Sequence, residues 1–253
     1  MIRRLALRGG PRAGAPRGAP RGAPGGAPDA AAARYARAEL PPARTPWLQA
    51  RWCALDFELT GLDASADEII SFGALPIDDG RVRLEGAAVG LVRPTAPLAE
   101  SAIRVHGLRA LDLAHAPPAR EGLDPLLAAM AGRVLVAHHA PVERAFLGDA
   151  LRALRLRLRG PVLDTAVLAR VWLAERDGEL PGFLDLGALA RECGLPVHSP
   201  HTAIGDALTT AQLFVAAASQ LDARSPQTVR RLARADQRLA DLERYWPRDG
   251  DGA

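Results

Sequence analysis

The chain has no lysine. Its 32 basic residues are all arginine, and beside the heavy alanine content this reads as a bias of the coding sequence rather than a demand for guanidinium chemistry. Cysteine is almost absent as well: Cys53 and Cys193 are the only two, too few for a disulfide framework or a zinc cluster. A reducing cytoplasm is the expected compartment. Aromatic residues make up 4% of the chain. No window approaches the ~18 consecutive apolar residues of a membrane-spanning helix. Met1–Gly10 offers no apolar stretch beyond Leu5-Ala6-Leu7, so a secretory leader is not expected either. What is present is ordinary for a soluble domain: 253 residues, 48% hydrophobic and 24% charged, enough for one well-buried core.

The positive charge is local. Met1–Pro46 carries nine arginines against Asp29 and Glu39, whereas Trp47–Ala253 carries 23 arginines against 27 acids. The net charge of +3 is thus a property of the N-terminal segment and does not argue for a basic DNA-binding face elsewhere. Residues 1–30 are mostly Ala, Gly and Pro, and Pro16–Pro28 reads PRGAPRGAPGGAP. Such a segment buries too little apolar surface to offset its ordering entropy, and disorder is expected. Three regions follow: a tail and lead-in over 1–46, a folded domain over 47–222, and a helical extension over 223–253. Thr45-Pro46 has the form of a helix start, with the hydroxyl as cap.

From Arg51 the pattern alternates strands and helices. Trp52–Leu55 is an apolar run ending in Asp56. Glu68–Ile77 and Arg81–Val92 read as strands joined by a hairpin turn at Asp78-Asp79-Gly80. Arg133–Ala137 and Pro161–Asp164 are short buried strands. Helical spacing covers Leu123–Met130, Val142–Leu158, the segment from Thr165 (as cap) to about Arg176, Leu184–Cys193, Ala203–Leu221 and Pro226–Tyr245. A hairpin followed by βαβα units predicts one mixed α/β sheet flanked by helices, in a single domain.

Three acidic elements stand out. Asp56 and Glu58 end the first strand at i and i+2, so both carboxylates project to one face, a pairing that suits a hard divalent cation. Alone, such a pair is a weak signal, because exposed acids are common. Glu143 falls in the first turn of a helix, where an acid complements the helix dipole in any protein. His201 and Asp206 stand five residues apart, in a loop and in the first turn of the next helix.

Taken together and in this order, these residues resemble the DnaQ-like DEDDh exonucleases, a family that includes the epsilon proofreading subunit of bacterial DNA polymerase III. Further matches are Leu55 through Leu62 (LDFELTGL), Asp67-Glu68-Ile69-Ile70, Ile103 through Leu108 (IRVHGL), Val136-Ala137-His138 with Phe146-Leu147, Leu163-Asp164-Thr165, and His201 through Ala207 (HTAIGDA). The resemblance spans about Trp47 to Leu221. It implies an RNase H-like fold and 3′–5′ removal of nucleotides from DNA ends as nucleoside 5′-monophosphates, in proofreading or repair. It also implies two divalent cations, Mg²⁺ or Mn²⁺, on the order of 4 Å apart, held by Asp56, Glu58, Glu143 and Asp206. His201 would be the general base. Leu59, Thr60 and His106 would meet the 3′-terminal nucleotide. Single-stranded or frayed 3′ ends and a DNA polymerase subunit are the implied partners, with no membrane. The sequence departs from the family pattern at Glu143, where aspartate is usual, at His139 for asparagine, at Val142 for phenylalanine, and at Leu59 for the first threonine of D-x-E-T-T-G. Two other readings stay open: an RNA 3′–5′ exonuclease similar to oligoribonuclease or RNase T, and a nucleic-acid-binding scaffold with a weakened metal site. Asp164, ahead of a helix, reads as structural support. His198 reads as a solvated neighbour of His201, and the arginines at 152, 155, 157 and 159 as a solvated face.

Overall fold

The structure is a computed structural model that describes residues 28–182 and 184–245. Strand β1 (Trp52–Leu59) is its centre. It pairs antiparallel with β2 (Ile69–Asp78), Trp52 opposite Ile77 and Glu58 opposite Ser71, with a register shift between Glu58 and Leu59. Asp79 (φ 54°) and Gly80 (φ 68°) make the two-residue turn into β3 (Arg81–Val82). Left-handed residues at both positions give a turn twist that matches the strands. The run expected as one strand over 81–92 is broken by a single 3₁₀ turn, Leu84–Gly86, before β4 (Ala88–Leu91) returns to the same edge of β2. On the other side, β5 (Val134–Ala137) and β6 (Val162–Asp164) lie parallel to β1, giving the order β3-β2-β1-β5-β6 with β4 on β2.

The helices are α1 (Pro28–Arg37), α2 (Glu100–His106), α3 (Ala110–Leu113), α4 (Ala119–Gly122), α5 (Asp124–Met130), α6 (Ala140–Ala153), α7 (Thr165–Asp177), α8 (Leu186–Glu192), α9 (Ala203–Arg224), α10 (Val229–Leu232) and α11 (Ala235–Tyr245). They cover both sheet faces, and β1 shows why. Its side chains alternate: Trp52 and Ala54 join Leu168 and Val171 of α7 and Ala211 and Phe214 of α9, while Cys53, Leu55 and Phe57 join Leu127 of α5 and Phe146 and Leu147 of α6. Period-two burial on both faces is what a central strand under two helical layers requires. Trp52 anchors the first layer, with its ring 4.8 Å from Phe214 and its indole N–H donated to the Trp47 carbonyl at 2.8 Å.

Several expectations are corrected. The part of the 1–46 lead-in that is described, from residue 28, is packed: α1 lies along α5, Tyr35 is buried, and Arg34 donates to the Ala128 carbonyl at 3.2 Å. The expected disorder of residues 1–27 lies outside the described residues. Thr45-Pro46 starts no α-helix. Trp47–Gln49 is one 3₁₀ turn with no side-chain cap, and Pro46 instead bridges to Thr228. The helical extension packs on the domain, with Leu232 and Leu239 in the same core as Trp52; residues 246–253 lie outside the described part. The helix expected over 226–245 is split into α10 and α11, and α6 stops at Ala153, two residues before Arg155 turns the chain with φ 60°. Among the described residues no helix is long and apolar enough to cross a membrane.

Candidate active site

Asp56 and Glu58 continue the α9-facing side of β1 past the point where β5 stops pairing, at Ala54 opposite Val136. The strand therefore carries two carboxylates into the cleft beyond its buried core. Asp206 comes from the first turn of α9, which Thr202 caps by accepting the Gly205 N–H at 3.3 Å. One carboxylate oxygen each from Asp56, Glu58 and Asp206 lies within 4.8 Å of the others.

Glu143 adds a fourth carboxylate from α6, on the opposite sheet layer, near enough to Asp56 and Glu58 for their charges to act on one another but outside the three-residue set. It is buried, and its Oε2 is buried without a partner. The start of α6 is fixed by Asp164, in keeping with the structural support expected of it. Its carboxylate accepts the N–H groups of His139 (3.1 Å), Ala140 (3.0 Å) and Ala166 (2.9 Å), capping α6 and α7 at once. Thr165, expected to be the cap, lies inside α7 and faces His138 Nδ1 at 2.9 Å instead.

The four acids disturb one another. Burial, then the charges of Glu143, Asp206 and Glu58, push Asp56 well above the usual carboxylate range. Burial and then Asp206 raise Glu58 to about 7. Burial and then Glu58 raise Glu143, against the pull of the Phe57 N–H. Asp206 is raised by burial and opposed by the backbone N–H and the charge of His201. Four carboxylates in one partly dehydrated cleft cannot all ionise without a counter-charge. An all-oxygen donor set with an unpartnered buried oxygen fits a hard divalent cation.

His201 stands at the rim, exposed, with φ 61° and its backbone N–H given to Asp206 Oδ2 at 2.9 Å. A non-glycine residue held in the left-handed region marks a loop fixed by its surroundings. The other expected contacts are placed less uniformly. Thr60 is wholly buried; its hydroxyl donates to Asp67 (2.8 Å) and accepts from the Glu68 N–H (2.9 Å), so its side chain closes the turn rather than facing the cleft. Leu59 is buried in the core behind β1. His106 takes the Leu108 N–H on Nδ1 at 3.0 Å and turns a buried, unpartnered Nε2 inward. Burial lowers its pKa, against the Leu59 backbone. His198 is not merely solvated, since it is half-buried and paired with Gln212 at 3.1 Å. Of the arginines read as a solvated face, Arg159 is bonded to the Tyr35 and Ala38 carbonyls of the N-terminal segment. Glu68 was legible only as part of a motif. In the fold it accepts from Thr95 and Ala96, and Thr60 accepts the Ala99 N–H, tying the turn after β1 to the chain that leads to His106.

A family model described as "Exonuclease" matches residues 53–214. A DNA polymerase III subunit epsilon-like protein of Rhodobacter capsulatus is 33% identical over 190 residues, which is 74% of this chain and 26% of that protein. A PolC-type DNA polymerase III of Thermotoga petrophila is 30% identical over 167 residues, 66% of this chain and 12% of that one. The chain thus matches only 26% and 12% of the length of these relatives. Exonuclease X, solved in complex with 5′ overhanging duplex DNA, superposes with a TM-score of 0.56 at 22% identity, covering 73% of this chain and 98% of that one. The shared fold is an RNase H-like mixed sheet flanked by helices.

Proposed function

This chain belongs to the exonuclease family, of the DnaQ-like DEDDh kind, and from that membership we propose that it is a divalent-cation-dependent 3′–5′ exonuclease of DNA strands. The observation that carries the reading is the convergence of Asp56, Glu58 and Asp206 within 4.8 Å, with Glu143 behind them and His201 beside Asp206. These four carboxylates would hold Mg²⁺ or Mn²⁺.

Bound there, the ions supply Lewis-acid stabilisation of charge on the phosphate and on the departing 3′ oxygen. The chain's own residues do the rest. His201 accepts the proton of the attacking water on a ring nitrogen, a task suited to imidazole near neutral pH. The water oxygen bonds to phosphorus, the bond to the 3′ oxygen of the penultimate nucleotide breaks, and that oxygen takes up a proton. The terminal nucleotide leaves as its 5′-monophosphate. Asp206 links the two functions, because one of its oxygens holds the His201 backbone while the carboxylate completes the acidic set. The names of the relatives favour DNA and a DNA polymerase partner.

The test is release of label from 3′- and 5′-labelled single strands of DNA and of RNA, with and without Mn²⁺ or Mg²⁺. DNA shortened from its 3′ end only with cation is expected. Asp56→Ala should abolish both Mn²⁺ binding and nucleotide release. His201→Ala should keep Mn²⁺ affinity and lose about 10²–10⁴ in turnover. Unchanged release by Asp56→Ala rejects the site, and faster cutting of RNA than of DNA replaces the substrate.

A further inference from the structure

Two glycines near the cleft lie outside the left-handed region, so conformational freedom does not explain them. Space does. Gly73 sits on β2 directly opposite Asp56. A Cβ built there would stand 2.6 Å from the Ala203 carbonyl carbon and 2.6 Å from Ile204 Cα. Carbon atoms in contact settle near 3.5–4.0 Å, and both obstructing atoms are backbone, so a side chain at this position could be admitted only by lifting the start of α9. That first turn carries Asp206. Metal–ligand distances tolerate about 0.2 Å, so a retreat of about 1 Å takes Asp206 out of the set it forms with Asp56 and Glu58.

Gly205 does the equivalent for the base. A Cβ there would collide with the carbonyl oxygens of His198 and Ser199 and lie 2.7 Å from Thr202 Oγ1. The loop over 198–202 is thus folded directly onto the glycine's bare face. It is pinned by Thr202 Oγ1 donating to the Ser199 carbonyl at 2.7 Å and by the His198 N–H donating to Thr209 Oγ1 at 3.1 Å. Ser199 (φ 33°) and His201 (φ 61°) are the strained residues of this loop, and such strain persists only where the surroundings fix it.

We propose that Gly73 and Gly205 are positioning residues with divided roles: Gly73 seats the helix that brings Asp206 to the cation, and Gly205 seats the loop that brings His201 to the water. The inference rests on the function proposed above.

The test uses the full chain, with Mn²⁺ alone titrated calorimetrically and kcat and KM read on a labelled single-stranded DNA. Folding is checked by circular dichroism. Gly73→Ala is expected to weaken Mn²⁺ binding at least about tenfold, the scale of losing a residue that orients metal ligands. Gly205→Ala is expected to keep Mn²⁺ affinity and KM but to lower kcat roughly 10²-fold, the cost of about 1 Å of misplacement. Adding His201→Ala to Gly205→Ala should then cost much less than His201→Ala alone. Gly90→Ala, which crowds the Phe72 ring instead, is the strain control and should lower stability with Mn²⁺ affinity intact. Wild-type Mn²⁺ affinity in a folded Gly73→Ala, or wild-type kcat in Gly205→Ala, overturns the inference. If Gly73→Ala does not fold, Gly205→Ala and its cycle with His201→Ala decide the matter. A wild-type chain that neither binds Mn²⁺ nor cuts DNA brings down the proposed function itself. A wild-type chain that does both beside unaffected glycine variants brings down this inference alone.

Discussion

His138 and His139 are neighbours in sequence and have rings 4.5 Å apart, yet they are held by different physics. His139 offers its backbone N–H to Asp164 from a left-handed conformation (φ 55°). His138 is buried against Thr165, and burial first, then the charge of His139, drives its pKa down to about 3. The sign follows directly. Above the unfolded value of about 6.5 neither state carries the proton, and His138 adds no pH dependence. As pH falls from there towards 3, the unfolded chain takes up a proton that the folded one refuses, and stability is lost at about 1.4 kcal/mol per pH unit. Between pH 6.5 and 5 the wild type should therefore lose about 2 kcal/mol that His138→Asn, whose amide can keep the Thr165 bond, does not lose. Urea unfolding at the two pH values reads the difference, and equal losses would reject the assignment. At this scale the sequence is an uneven guide. Asp56, Glu58, Glu143, His201 and Asp206 are legible because each adjoins the end of a strand or the start of a helix, where local signals are strong. Gly73 is not, since it acts by what packs on it, and Asp164 reads only as support, because its capping of two helix starts 25 residues apart in the chain shows only in the fold.

Among the elements, the strands are the readable ones. Trp52–Leu59 alternates two apolar faces, with Asp56 and Glu58 continuing one of them, and both faces are buried under helices. Helix α1 (PDAAAARYAR) is harder, because its small face is alanine and its composition merges with the arginine- and proline-rich segment before it. Only the fold shows that Tyr35 is 4% exposed, with its hydroxyl donating to the Arg157 carbonyl at 3.3 Å. If that contact holds α1 on the domain, Tyr35→Ala should cost about 3 kcal/mol, as truncating a buried aromatic does. A chain disordered through residue 46 would lose nothing, so the midpoint of chemical unfolding separates the two cases. The same lesson applies at the other end. The polar, arginine-rich run after Leu221 hides the period of Leu232, Ala235 and Leu239, which complete the core under Trp47 and Trp52.

For the molecule as a whole, charge is the unresolved tension in any metal-free state. The segment from Trp47 onward holds 27 acids against 23 arginines, four of the acids crowd one cleft, and the proposed substrate is a polyanion. Cation binding would settle both conflicts at once: it would neutralise carboxylates that burial and mutual repulsion have raised, and it would reverse the sign of the surface a phosphate must approach. Because the folded chain assembles this site and the unfolded chain does not, Mn²⁺ at about 100 times its dissociation constant should stabilise the fold by about 2.7 kcal/mol. For a chain of this size that is a rise in Tm of about 5–10 °C. Asp56→Asn should behave in the opposite way on both counts. It should lose the Mn²⁺-dependent rise, and without metal it should melt above the wild type, because it removes one of the like charges that Glu58, Glu143 and Asp206 oppose. Thermal melts of the two proteins with and without Mn²⁺ give all four values. If Asp56→Asn melts below the metal-free wild type, these acids do not repel one another in the folded chain, and the cleft is held by something other than the cation it is argued to await.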